Sequence, residues 1–339
     1  MSKVVVIGGG VIGCAVAERL SLDGHQITLL ERDQLACRAS GAAAGELSPQ
    51  TTTARPDEMA LRSLELFPEL VARVEKESLI NVEYRVQEGL QPAFNEEEAV
   101  ALRASGGRWL DAQACRKAEP ALSTDVVGAV LLEHAHLTPP RFVRAMARAA
   151  AARGAAIFEG TPVTGFETAD GGEVRQVVTP AGSHEADWAV IAAGPWSREV
   201  ASAVGVDLDV RPQRGQLAAL DPRGLVLSRS IFWSNGYLVP KADGTIIAGG
   251  TEEDAGFDDR PTVSGIATLL ELACRLAPGL GAASLQRSWA GLRPVTRDGR
   301  PIVAAVGPPN LIVATGHHRK GILLAPLAAM QVATIVGRP

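Results

Sequence analysis

The sequence predicts an α/β fold in which a doubly wound parallel sheet is interrupted by an α+β insert built on an antiparallel sheet. Three observations predict it. KVVVI at 3–7 is an apolar run of buried-strand type, 11–23 reads as a helix and QITLL at 26–30 as a second strand. Together they form one βαβ unit, the opening of a parallel sheet. Between 208 and 252, strand patterns are separated by DPRG, SNG and ADG, the turn chemistries of antiparallel hairpins. The chain then closes as it opens, with LIVATG followed by GILLAPLAAMQVATIV, a strand and a helix.

The elements between follow in order. Residues 57–77 carry one helical pattern, and 80–132 alternate short strands and helices with Gly and Pro. A helix is expected over 139–153, because TPP stands at its start and Gly154 at its end, where such residues begin and terminate helices. Strands at 155–158, 174–178 and 188–191 are expected to return to the first sheet. The 339 residues suit one large or two interleaved domains. The economical division is a nucleotide-binding domain of 1–79, 138–207 and 291–339, with a second domain of 80–137 and 208–290.

Composition excludes several classes of function. With 38 acidic against 33 basic residues, the chain has no electrostatic footprint for nucleic acid or an anionic membrane. The N-terminal stretch imitates a secretory signal, but three consecutive glycines and the Glu18-Arg19 pair that follows argue against a continuous apolar helix or a cleavage site. No run reaches the roughly 18 uninterrupted apolar residues of a membrane span. Cys14, Cys37, Cys115 and Cys274 are scattered and match neither a zinc knuckle nor a disulfide framework. A reducing cytoplasm is the expected compartment.

Gly8-x-Gly10-x-x-Gly13 sits between the first strand and helix, and Glu31 ends the next strand. In this Rossmann-like fingerprint the first glycine makes the tight turn, the second admits a pyrophosphate against the backbone, and the third packs helix on strand. Unpaired amides and the helix dipole supply the anion affinity, and the acid accepts hydrogen bonds from ribose hydroxyls. With strand, helix and acid all present, a dinucleotide site is favoured over a merely tight turn. The fingerprint leaves FAD and NAD both open.

Further along stand RDQLACRASGAAAGELSPQ at 32–50, VIAAGPWS at 190–197, RPQRGQL at 211–217, NGYLVPKADGTIIAGGTEE at 235–253 and WAGLRPVTRDGRPIVAAVG at 289–307. With the opening motif, these resemble the FAD-dependent D-amino acid oxidase family, most closely its glycine oxidase branch. The resemblance covers nearly the whole chain, and its motifs at 289–300 and 316–326 are the most specific. It implies an FAD-binding domain with a discontinuous antiparallel-sheet substrate domain, and FAD held without a covalent link. Gly8, Gly10, Val11, Ile12 and Gly13 would hold the pyrophosphate, with Glu31 and Arg32 at the ribose and adenine end. Ala39, Ser40, Ala44, Gly45 and Glu46 would line the flavin, Val163 would meet the adenine, and Gly194 with Trp196 would border the cofactor. The segment His317, His318, Arg319, Lys320, Gly321, Ile322 and Leu323 would pass the pyrimidine edge of the isoalloxazine.

The implied reaction is oxidative deamination of a small amino acid or amine (glycine, sarcosine or a D-amino acid) by hydride transfer from Cα to flavin N5. It gives an imine and then an oxo acid, with H2O2 if oxygen is the acceptor. The protein's part is orientation. Arg293 in AGLRP matches the family's carboxylate-binding arginine and Tyr237 in NGYLVP its tyrosine partner; the plain alternatives are a surface ion pair and a core ring. Arg319 is expected near the substrate amine. Lys320 and the amides after Gly321 are placed to stabilise negative charge on a reduced flavin, although Lys320 reads equally as an exposed lysine. Partners would be that substrate and an electron acceptor, and a homo-oligomer is compatible with the sequence. The alternatives are an oxidase or dehydrogenase of a larger, basic substrate, a non-catalytic FAD-binding subunit, and an NAD-dependent dehydrogenase.

Two residues depart from the family pattern, since Glu46 and Glu252 stand where glycine oxidases carry methionines over the substrate pocket. A buried carboxylate is costly unless paired or protonated. Each glutamate would face a cationic part of a substrate or act as a base on its ammonium; Glu252 reads equally as part of a solvated turn. His134 and His136 would face the same way on a strand, but without a third ligand in sequence they read as a surface pair and no metal is expected. His317 and His318, being adjacent, point apart and do not form a shared site.

Overall fold

A computed structural model describes residues 1–49, 57–234 and 236–337. The opening βαβ unit comprises strand Lys3–Ile7, helix Val11–Leu22 and strand Gln26–Leu30. It sits at the centre of a six-stranded sheet whose spatial order is Ile302–Ala305, Leu311–Thr315, Trp188–Ile191, Lys3–Ile7, Gln26–Leu30 and Ala156–Phe158. Every pairing is parallel except that of Ile302–Ala305 with Leu311–Thr315. Val4, Val5, Val6 and Ile7 are all buried, because both faces of a parallel sheet are covered and neither tolerates polar alternation.

One face packs under helices Val11–Leu22, Pro139–Ala152 and Gly321–Val336, meeting in a core that includes Val4, Val6, Leu20, Phe142, Met146 and Leu323. The last helix is apolar on nearly every side because its surroundings are protein. Its segment His318–Val336 has the length and hydropathy of a membrane span, yet 56% of it is buried within the fold. Val5 and Ile7 face the other way, toward Val174, Val177 and Ala201. Here the expectation for 174–178 is corrected: Val174–Thr179 joins Gly165–Thr168 and Gly182–Glu185 in a separate three-stranded antiparallel sheet. Its apolar residues cover the parallel sheet instead of extending it.

The second large sheet runs in the order Ser284–Thr296, Val210–Asp221, Ile246–Gly249, Gly236–Pro240, Ile231–Trp233, Arg85–Ala93, Gly128–His136 and Glu46–Leu47, with Arg108–Asp111 also paired on Gly128–His136. Its two faces alternate as strand geometry requires. Ala218, Leu220, Leu238 and Ala248 pack with Leu269, Ala273 and Leu276 of helix Val263–Leu276. Leu217, Ala219, Val239 and Ile247 cluster on the opposite face with Tyr237 and Trp289. That second face forms a wall of the site described below.

Three boundaries differ from expectation. Residues 57–77 form two helices, Glu58–Glu65 and Phe67–Ser78, with the Asp57 side chain accepting from the Met59 amide at the first N-terminus. Pro68 stands in the first turn of the second helix, where a missing N–H ends one hydrogen-bond ladder and begins another. Glu46–Leu47 belongs to the large sheet, which is antiparallel except where Ile231–Trp233 runs parallel to Arg85–Ala93, although it lies within 1–79, and strand Ser284–Thr296 runs through the 290/291 division. Asn235, in the SNG turn, lies outside the described residues, as do the last positions of 291–339.

Candidate active site

The parallel-sheet unit and the second face of the large sheet enclose a cavity of about 740 Å³. Its dinucleotide end is built from backbone. Gly8 has φ +113°, and a Cβ there would fall 2.5 Å from the Ala192 carbonyl oxygen; a Cβ at Gly13 would fall 1.9 Å from that of Gly8. Gly10 stands at the N-terminus of helix Val11–Leu22 with no side-chain cap of its own. The Val11 amide donates to Ser40 Oγ at 2.9 Å. Gly8, Gly10, Val11, Ile12, Ala39 and Ser40 line the cavity, whereas Gly13 lies behind it and sets the packing.

Glu31 lines the same end, its carboxylate accepting from the Gly9 amide at 2.6 Å and the Asp33 amide at 2.8 Å. The Arg32 guanidinium lies 4.0 Å from the ring centroid of Trp196, a cation–π contact that closes this end together with Gly194 and Val163. Ala44 and Gly45 continue the wall; a Cβ on Gly45 would lie 2.0 Å from the Leu137 carbonyl oxygen. These tight, side-chain-free approaches fit a dinucleotide.

The C-terminal segment faces this wall, and all of 317–323 lines the cavity. His317 is 3% exposed with neither ring nitrogen partnered; burial pushes its pKa down to about 4, so the ring is neutral. His318 points elsewhere, its Nε2 lying 2.7 Å from Gln213 Oε1. Arg319 pairs with Glu252 at 3.0 Å, and Lys320 with Asp57 at 2.7 Å. Lys320 is thus a partnered residue of the cavity wall. Glu252 does not line the cavity: the structure corrects its placement over the pocket and makes it the partner of Arg319.

Arg293 on Ser284–Thr296 and Tyr237 on Gly236–Pro240, with two strands of the large sheet between them, both line the cavity. Arg293 Nη1 donates to the Thr251 carbonyl at 2.8 Å. Among the described residues it forms no ion pair with a carboxylate. Arg293 is half-buried, and a guanidinium partly withdrawn from water without a counter-ion favours the arrival of an anion. Glycine creates the room: a Cβ at Gly215 would lie 2.3 Å from Arg293 Nη2, and one at Gly249 would lie 2.7 Å from the Tyr237 hydroxyl. Burial lowers the Arg293 pKa and raises that of Tyr237, the guanidinium opposing the latter shift.

Glu46 also lines the cavity, and the structure gives it company that the sequence did not announce. Strand alternation puts Leu132, His134 and His136 on one face of Gly128–His136, and Glu46 pairs directly opposite His136. The two histidines are 2% and 4% exposed, which corrects the surface-pair expectation. His134 Nε2 lies 3.1 Å from Glu46 Oε2 and 3.0 Å from Ser230 Oγ. One ligand-type atom from each of Glu46, His134 and His136 lies within 4.8 Å of the others. Below them Lys241 Nζ donates to the carbonyls of Ala44 and Leu137 at 2.8 and 3.1 Å. Burial pushes Glu46 up to about 8 against the opposing pull of Lys241 and Ser230. Burial likewise pushes His134 down to about 3 and His136 to about 4. Lys241 lies within the 235–253 stretch and His134 within the His134/His136 pair, but nothing in the sequence tied either to Glu46.

Comparison with known proteins places this geometry. A glycine oxidase of Bacillus licheniformis is 33% identical over 99% of this chain and 93% of its own length. The bifunctional protein ThiO/ThiG of Nostoc sp. is 36% identical over 98% of this chain but 52% of its own length, so the chain spans about half of that relative. The crystal structure of a glycine oxidase from Bacillus cereus superposes with a TM-score of 0.93 at 31% identity, covering 100% of this chain and 96% of the other. The family described as DAO, FAD dependent oxidoreductase, matches residues 3–335. The chain therefore belongs to the DAO family of FAD-dependent oxidoreductases, with FAD as its cofactor.

Proposed function

We propose that this protein oxidises a small amino acid or amine at Cα, with glycine-like substrates foremost, to an imine that water hydrolyses to an oxo acid and ammonia. The observation that carries this reading is the half-buried Arg293 guanidinium, free of any described carboxylate partner and set beside Tyr237 on the cavity wall. A guanidinium fork pairs with a carboxylate through two parallel hydrogen bonds, which fixes the position of the attached Cα. The glycine oxidases among the relatives support the same substrate class.

Bound FAD supplies a two-electron acceptor for the Cα–H bond. The chain's own residues bind, orient and enclose. Gly8, Gly10, Val11 and Ile12 would hold the pyrophosphate, Glu31 the ribose, and the 317–323 segment the pyrimidine edge of the flavin. The amides opening helix Gly321–Val336 favour negative charge there, and the neutral His317 offers an N–H to the same region. In this assignment FAD rests on 1–79, 138–207 and 291–339, while 80–137 and 208–290 shape the substrate end, with Glu46 and Arg293 as the residues that cross over. Oxygen as electron acceptor would make H2O2. The four free cysteines suit a reducing compartment such as the cytoplasm.

An anaerobic screen of flavin bleaching over glycine, sarcosine, D-amino acids, basic amino acids and polyamines tests the proposal. Bleaching by a small amino acid is the expected result. Bleaching by polyamines alone would remove the carboxylate clamp from the account, and bleaching by nothing would leave an FAD-binding subunit without turnover.

A further inference from the structure

An amino acid arrives at neutral pH with its nitrogen lone pair tied to a proton, and Cα oxidation draws on that lone pair. Something must take the proton. Among the described residues lining the cavity, Arg32, Arg38, Arg293, Arg319 and Lys320 are cations and three are carboxylates. Glu31 is occupied by two backbone amides at the dinucleotide end. Glu199 is exposed on helix Ser197–Ser202, just beyond Trp196. Glu46 lies on the substrate side, on the sheet that carries Tyr237 and Arg293, close enough to Tyr237 for its charge to act on the phenol.

We propose that Glu46 accepts the ammonium proton of the bound substrate, its carboxylate positioned by His134 and Ser230 and its charge balanced by Lys241. This deepens the amine-oxidation reading above and rests on it. In the step, one substrate N–H bond breaks and leaves its electron pair on nitrogen while an O–H bond forms on Glu46. An ammonium and a carboxylate become an amine and a carboxylic acid, with no oxidant consumed.

The surroundings suit that task. Glu46 keeps 14% of its side-chain surface exposed, and it lines the cavity. Ser230 Oγ donates to Glu46 Oε1 at 3.5 Å, and His134 stands against the other oxygen. The groups that act on the cluster are Tyr237 from Gly236–Pro240, Lys241 and Asp243 just after it, His134 and His136 from Gly128–His136, and Glu83 and Arg85 at the rim. Burial pushes both histidines well below the ordinary imidazole range, so each is a weaker base than the Glu46 carboxylate and does not hold the proton. A carboxyl group raised toward the working pH is the form in which general bases operate. A metal ion on Glu46, His134 and His136 would have to sit beside the Lys241 ammonium, a repulsion that grows as burial lowers the local dielectric.

The test is anaerobic stopped-flow reduction of the FAD-loaded protein by the amine that it oxidises, followed from about pH 6 to about pH 10. In the unchanged protein the limiting rate is expected to rise with pH through about 8, because the deprotonated carboxylate is the active form. Glu46→Gln should be slower by about 100-fold at neutral pH, lose that limb, and recover only where the substrate's own ammonium titrates. Lys241→Met removes the opposing positive charge and should move the limb to higher pH. Retained FAD absorbance reports folding in both variants. An unchanged profile in Glu46→Gln would overturn the proposal, as would an effect confined to the Kd of substrates bearing a second cation, which marks charge recognition. Stoichiometric zinc lost on His134→Ala would overturn it too. If no amine reduces the unchanged protein, the amine-oxidation reading falls and takes this proposal with it.

Discussion

The two ends of the cavity are built on opposite principles. At the dinucleotide end the polar work is done by backbone: the Glu31 carboxylate accepts from two amides and the Ser40 hydroxyl accepts from the Val11 amide. At the substrate end it is done by side chains, several of which lack a protein partner among the described residues, including Arg293 toward any carboxylate and the Nδ1 atoms of His134 and His136. Buried groups left so are costly in the absence of a ligand. A backbone-built site tolerates almost no added atoms and should fail structurally. A side-chain-built site should fail chemically while the fold and its flavin persist.

The largest expected effect breaks the first half of that contrast. Gly13→Ala places a Cβ 1.9 Å from the Gly8 carbonyl oxygen. Alanine ordinarily stabilises a helix interior by up to about 1 kcal/mol over glycine, so a loss of about 3 kcal/mol or more from overpacking, together with colourless protein, is the signature of a backbone site. Thermal melts and the flavin absorbance check it.

Arg293→Ala examines the other half. It should cost about 2–5 kcal/mol in the interaction with a carboxylate substrate, which is about 30- to 5000-fold in kred/Kd, with FAD still bound. Arg293→Lys should recover little, since a point ammonium lacks the planar fork. Gly249→Ala sharpens the comparison further, because it presses a Cβ against the Tyr237 ring and hydroxyl at 2.7 Å. Substrate Kd should rise by about 10-fold, an effect of about 1.4 kcal/mol, while the flavin spectrum is retained. The smallest effect is expected from Glu252→Gln, since its pair with Arg319 is about one-third exposed and such pairs contribute about 0–1 kcal/mol. Steady-state kinetics should change less than about fivefold, and the change should shrink with added salt.

Much of the fold was legible because its signals are local. A continuous apolar run marks a strand covered on both faces, and Gly8, Gly10 and Gly13 mark a backbone that must approach something closely. Arg293 and Tyr237 were found through motif resemblance, and the structure brings both to one wall of the cavity. Less legible was Val174–Thr179, whose composition matches the parallel strands although it covers their sheet. The break between the two helices near Leu66 was also missed, although Pro68 carried its signal. His134 and His136 were expected to face one way and do; that they face inward depends on what covers the sheet.

What the sequence determined by itself were the properties set by neighbours along the chain: the βαβ opening, the dinucleotide fingerprint and the ADG hairpin between Gly236–Pro240 and Ile246–Gly249. The DPRG turn, expected to make a hairpin, joins strands that are not paired, because Val210–Asp221 lies between Ser284–Thr296 and Ile246–Gly249. What only the tertiary structure decided is the environment of each charge. Glu46 and Ser230 lie 184 residues apart, and Glu252 and Arg319 lie 67 apart, yet these partners distinguish a buried carboxyl from a screened ion pair. The physical reason is that desolvation and Coulomb interaction depend on distance through space and on local burial. Two glutamates that read alike along the chain therefore separate into a raised, cavity-lining acid and a surface partner of Arg319.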